Sequence, residues 1–235
     1  QSITIYKILN KIDDIVHHHR KRTYWIIAAL TVISIYGITK ATVKGYLVDD
    51  LPKDHPIYSD LRFFEKNFNG IMPFEILIDT KREKGMTSFL ASPLYKINGL
   101  EKEIKKYPEF STPISLVEML KFHYQVYRGG NPKYYRLPGA AQLKEMSESV
   151  NFSSENQLKL NPFLDSTKRV GRISYQVADA GSDILKKITS ELRTKIDSIF
   201  GTEDYKVTLT GHSVVFVKSN DYLLNNLLES LLIAI

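Results

Sequence analysis

Val170-Gly171-Arg172-Ile173-Ser174-Tyr175-Gln176-Val177-Ala178 is the stretch on which the reading of this chain turns. Ile173, Tyr175 and Val177 fall on one side of an extended backbone and Arg172, Ser174 and Gln176 on the other, the period-two pattern of a strand with one buried face. The period then changes. From Ser182 onward, Leu185, Ile188, Leu192, Ile196 and Ile199 recur at three- and four-residue intervals and lay one apolar stripe along a helix. Phe200-Gly201 closes that helix, and residues 205–210 alternate again with Tyr205, Val207 and Leu209 inward.

Toward the amino terminus a similar unit precedes it. Residues 74–79 form a compact strand candidate, 80–85 a charged turn, and Ser92-Pro93 supplies an N-cap with proline at the first helical position. Leu94, Ile97, Leu100 or Glu101, Ile104 and Tyr107 then carry the helical period up to Pro108. Residues 110–115 give a further strand, which Pro113, lacking an N–H, confines to an edge or an irregular course. Residues 116–160 read as a helical insertion, with helical patches at 116–127 and 142–150 around the loop Gly129-Gly130-Asn131-Pro132. The order β, α, β, insertion, β, α, β predicts an α+β fold, a ferredoxin-like split βαβ sandwich. Ahead of it, Asp54 and Pro56 start a helix whose apolar face is Ile57, Leu61, Phe64 and Phe68, and Asn69-Gly70 ends it.

The flanks differ in character. Residues 24–38, YWIIAALTVISIYGI, carry no ionisable group except tyrosine and follow the basic block His17-His18-His19-Arg20-Lys21-Arg22. This predicts a transmembrane helix over 23–45, with Arg20, Lys21 and Arg22 on the cytoplasmic side and Tyr24 and Trp25 in the aromatic belt as interface anchors. A cleaved signal peptide is the rival, and no small-x-small cleavage site follows Ile38. In residues 1–22, Ile5, Ile8, Leu9, Ile12, Ile15 and Val16 make an amphipathic helix that fits the cytoplasmic leaflet and a protein surface equally well. Residues 219–235 end in the rising apolar run LLNNLLESLLIAI, which reads as the start of a second transmembrane helix cut short. The domain from 46 to 218 is then extracytoplasmic by the positive-inside rule.

Charge and motif inventory exclude several classes. Half of the formal net charge of +6 sits in the first 22 residues, where Lys7, Lys11, Arg20, Lys21 and Arg22 face Asp13 and Asp14. The remainder has both signs interspersed, so no nucleic-acid partner is expected. The chain has no cysteine, and therefore no disulfide or thiol chemistry. Consecutive histidines 17–19 point about 100° apart on a helix and cannot share one ion, and His55, His123 and His212 stand apart, so no metal is expected. Asp49-Asp50 reads as a solvated linker. No nucleophile elbow, P-loop or dinucleotide fingerprint is present; no catalytic residues, enzyme activity or cofactors are expected.

Three segments, in this order around the predicted domain, resemble the resistance-nodulation-division (RND) superfamily of transporters, especially its shorter MMPL-like and hopanoid-exporter-like branch. They are Val48-Asp49-Asp50-Leu51-Pro52-Lys53-Asp54-His55-Pro56, residues 64–78 (FEKNFNGIMPFEILI), and Thr210-Gly211-His212 leading to Leu227-Leu228-Glu229-Ser230-Leu231. Asn69-Gly70 stands where such proteins often have Gly-Gly, and Asn also tolerates the left-handed conformation. The stretch between the membrane helices is too short to resemble the drug-efflux branch, so tripartite assembly is not implied. The resemblance implies the amino-terminal part of a multi-pass exporter in the bacterial inner membrane, with 46–218 as its porter domain. It further implies a lipidic or amphipathic substrate, proton or sodium coupling, contact with membrane lipids, and packing against the remaining transmembrane helices and second porter domain of the full-length chain. A homo-oligomer is compatible with it. It also makes Glu229 the coupling candidate, because its setting resembles an acidic position at the outer end of the second membrane helix. The substrate-binding residues are not indicated. A two-helix sensor with an extracytoplasmic ligand-binding domain shares the helix-domain-helix layout and is the alternative.

Overall fold

Residues 72–79 alternate buried and more exposed side chains without interruption, and they form the central strand of the sheet, paired with a strand along each edge. The computed structural model describes residues 20–40, 45–46, 51–87, 92–149, 162–201 and 203–234. Among these, helix α1 is Arg20–Lys40, α2 is Pro56–Phe68, and strand β1 is Met72–Asp79. Helix α3 (Ser92–Ile104) follows, then α4 (Leu116–Tyr127), α5 (Ala140–Ser149), β2 (Val170–Val177), α6 (Ser182–Phe200), β3 (Lys206–Thr210) and α7 (His212–Ala234). The chain divides into two units, residues 1–43 and 44–235. The class is α+β.

In the second unit the sheet runs β2-β1-β3, all neighbours antiparallel. β1 pairs with β2 from Met72↔Val177 to Asp79↔Val170, and with β3 from Glu75↔Thr210 to Asp79↔Lys206. The segment predicted as an edge strand lies along the free edge of β2, where Phe110 bridges Val177 and Ile114 bridges Ser174. Pro113 explains why it is not a continuous strand, as it has no N–H to offer. The ladder is kept going around it: Ile114 and Ser174 exchange both backbone bonds, at 2.8 and 3.0 Å, and the Ser111 hydroxyl accepts from the Gln176 N–H at 2.9 Å. Edge-to-face contacts of Phe110 with Phe74 and Tyr175, at centroid distances of 5.0 and 5.5 Å, hold the segment down. Each such pair adds about 0.5–1.5 kcal/mol beyond burial.

One face of the sheet is the core. Met72, Phe74, Ile76 and Ile78 from β1, Ile173, Tyr175 and Val177 from β2, and Leu209 from β3 are buried there. Leu94, Ile97, Leu100 and Ile104 of α3 cover it beside Leu185, Ile188, Leu192, Ile196 and Phe200 of α6, the two stripes expected from the sequence. The opposite face carries Glu75, which pairs with Arg172 at 3.5 Å, and Asp79, held by both Nε and Nη2 of Arg169.

The start of α2 differs in detail from expectation. Its cap is His55, whose Nδ1 accepts from the Ile57 N–H at 3.3 Å, rather than Asp54. Asn69 closes the helix in the left-handed conformation (φ 55°), as the turn requires. Its apolar face stays uncovered among the described residues: Ile57, Phe64 and Phe68 are each more than half exposed. The predicted insertion contains α4 and α5, with α5 beginning at Ala140 rather than 142; residues 150–161 lie outside the described residues.

β3 runs into α7 through a single residue, Gly211, at φ 98°. A Cβ there would lie 2.6 Å from the Pro73 carbonyl oxygen, so only glycine lets the chain turn this close to β1. Ser213 then donates its hydroxyl to that same carbonyl at 2.9 Å, and Val214 and Val217 are buried. Gly211→Ala is therefore expected to lower unfolding free energy by about 1–3 kcal/mol. Gly99→Ala, in the middle of α3 with nothing within 4 Å of the new Cβ, is expected to raise it by up to about 1 kcal/mol. Urea unfolding of both variants checks this, and equal effects from the two would contradict it.

Candidate functional site

The residues singled out from sequence occupy two separate helices. Arg20, Lys21, Arg22, Tyr24 and Trp25 form the first turns of α1, all exposed, with Tyr24 71% and Trp25 79% accessible. Glu229 is exposed on α7 and makes no ion pair among the described residues. These residues belong to different units of the chain. His55 serves as a helix cap, His123 packs edge-on to Phe122, and His212 opens α7; His17, His18, His19, Asp49 and Asp50 lie outside the described residues. No group of three or more potential metal ligands occurs among the described residues.

A different site is built between α3 and the predicted insertion. α3 and α4, the 110–113 segment and residues 135–137 line a half-open cavity of about 780 Å³. That is the size range of ligand pockets. Ser115 caps α4 by accepting from the Glu118 N–H at 3.1 Å, and it donates its own proton to Oε1 of Glu101 on α3. Lys121, one turn further along α4, bridges Oε2 of Glu101 at 3.2 Å and Oε1 of Glu118. Tyr135 donates to the remaining oxygen of Glu118 at 2.5 Å. The two carboxylates thus share one lysine, and both oxygens of each are occupied.

This arrangement shifts the protonation equilibria in the directions its burial and charges dictate. Burial raises the Glu101 carboxyl, and the Ser115 and Lys121 bonds counter only part of it. Tyr135 is pushed up to about 12, first by its hydrogen bond to Glu118. Tyr175, projecting from β2 into the same cavity, is raised well above the usual phenol range by burial and then by the charges of Glu101 and Glu118. It remains a proton donor at any physiological pH. Its hydroxyl has no hydrogen-bond partner among the described residues although the residue is only 2% exposed, and the buried Oδ1 of Asn98 is likewise unpartnered.

No family model matches the chain, and no curated protein is detectably similar to it. The chemistry of the site therefore has to be read from its own residues. Sequence reasoning did not single out Glu101, Lys121, Tyr135, Asn98 or Tyr175 as a site. One signal was present: Glu101 falls at a core-facing position of the α3 stripe beside Leu100, where a carboxylate needs a buried partner. That partner comes from α4, a pairing no local pattern reveals.

Glu101 makes a testable pH signature. An acid whose folded pKa lies above its unfolded one costs nothing below the unfolded value, and its cost grows as pH rises through the folded one. Asp79, held low by the Arg169 hydrogen bonds, works the opposite way, so comparison with a variant isolates Glu101. Parent and Glu101→Gln are expected to differ most near pH 7, with the parent gaining relative to the variant as pH falls toward 4. Denaturant titrations at a series of pH values measure this; a pH-independent difference would contradict it.

Proposed function

We propose that this chain is the amino-terminal part of an ion-gradient-driven exporter of the RND type, in its MMPL-like branch, that moves lipidic or amphipathic molecules out of a bacterial inner membrane. In this reading 46–218 is a ferredoxin-like porter domain. Its segment order, 110–114, β2, β1, β3, supports this reading, because a split βαβ sandwich would have the same order, with bridges here in place of a second strand.

The observation that supports the reading best is the junction of β3 with α7. The first turn and a half of α7 is buried against β1, while beyond it Tyr222, Leu223, Leu227, Leu231 and Leu232 are exposed to between 45% and 75%. A helix fixed in the sheet at one end and apolar on its surface at the other is suited to carry movement between a porter domain and a bilayer. α1 has the same surface: Tyr24, Trp25, Ile26, Leu30, Ile33 and Tyr36 are each more than half exposed, on every side of the helix. Among the described residues no helix is long and apolar enough to cross a membrane. The transmembrane spans at 23–45 and from 219 onward belong to the proposal, as do outward transport, the coupling role of Glu229, and the further helices and second porter domain that would complete the machine.

Topology tests it. Alkaline phosphatase fused after Thr210 is expected to be active in bacteria and green fluorescent protein at the same place dark, with the protein sedimenting in the membrane fraction after carbonate washing. Fluorescence without phosphatase activity, or release by carbonate, would overturn the reading.

A further inference from the structure

The cavity between α3 and α4 holds a combination that the fold does not need. A buried hydroxyl without a partner forfeits its hydration and gains no bond, so Tyr175 in place of phenylalanine weakens the domain unless something else takes up the donor. Asn98 Oδ1 adds a second unmet group in the same wall. On α3, Asn98, Lys102 and Lys105 follow at intervals of four and three residues and so share the side that faces the cavity. Arg136 belongs to the same lining.

The balance of charge selects the ligand. Four basic and two acidic side chains line the cavity. Both carboxylates are already engaged, Glu101 by Ser115 and Lys121, Glu118 by Lys121 and Tyr135. That leaves Lys102, Lys105 and Arg136 as cations toward a guest, Tyr175 as a deep donor, and Asn98 as an acceptor suited to a hydroxyl. Phe110, Pro113 and Leu137 supply apolar wall beside them.

We propose that this cavity binds a hydroxylated phosphate ester, of the kind found in a glycerophosphate head group. The phosphate lies among Lys102, Lys105 and Arg136, a hydroxyl donates to Asn98, and Tyr175 donates to an ester or phosphate oxygen. The same chemistry comes from two sources, a soluble glycerophosphate or the head of an anionic phospholipid, and the apolar wall accommodates the beginning of an acyl chain in the second. Binding does not depend on export, so it can succeed or fail independently of the transport reading.

The test is calorimetric titration of the whole 235-residue chain in a mild non-ionic detergent with three probes. These are sn-glycerol 3-phosphate, dihexanoyl phosphatidylglycerol and dihexanoyl phosphatidylcholine. Saturable binding of either anionic probe is expected, at least tenfold tighter than phosphatidylcholine. Stronger binding of the lipid assigns the source to a membrane, and equal or stronger binding of the soluble ester assigns it to solution. Tyr175→Phe is expected to weaken the anionic probe at least fivefold while the melting temperature stays the same or rises, which a purely structural tyrosine would not do. Lys102→Gln with Lys105→Gln, on the exposed side of α3, is expected to abolish the preference for the anionic head. No saturable binding by either anionic probe, equal affinity for phosphatidylcholine, or unchanged affinity in both variants would overturn the proposal.

Discussion

The double pairing of β1 is the constraint on which the rest of the second unit depends. Its backbone is bonded to β2 on one side and β3 on the other, and every second side chain from Met72 to Ile78 is fully buried. A slip of one residue in either ladder would turn that apolar set to the solvent face and bring Glu75 and Asp79 into the core, so the register is fixed by burial itself. With β1 fixed, α3 and α6 have only one place to set their stripes. The 110–114 segment inherits its position from β2, and α7 inherits its direction from β3.

The polar network under α3 and α4 is a second layer of specification, built at some cost. A buried carboxylate is tolerable only when its charge and lone pairs are met, and Glu101 meets both with Ser115 and Lys121. Because Ser115 is also the cap of α4, the insertion helix and the sheet-covering helix are locked by one hydroxyl. Tyr175 and Asn98, each with an unmet buried polar atom, sit on the same cavity wall. For two unmet polar groups that share one cavity wall, recognition is a physical reason that fits.

Most of the fold was legible because it rests on periodicity. The alternation at 170–178 and the three-four spacing from Leu185 to Ile199 each have one reading, and strand and helix lie where those patterns fall. Turn chemistry was legible for the same local reason, with Asn69 left-handed and Pro113 thinning the edge ladder. What the pattern could not supply was pairing at a distance. Leu100 and Glu101 were indistinguishable as stripe residues, and both are buried, one among aliphatic side chains and the other against α4. The cap of α2 went to His55 rather than Asp54 because a ring nitrogen two residues before the Ile57 N–H reaches it. The apolar faces of α1, α2 and the outer half of α7 were legible as faces, while their covering is not supplied by the described residues.

The sheet and its outgoing helix α7 behave as one body, joined at Gly211 and Ser213. Native-state amide hydrogen exchange on the whole chain, followed across a denaturant series, measures this directly. The amides of β1 and those of Val214 to Val217 are expected to share one opening free energy and one denaturant slope, because the first turns of α7 cannot leave without exposing β1. A separate, lower-energy opening of residues 213–217, with β1 still protected, would contradict the account.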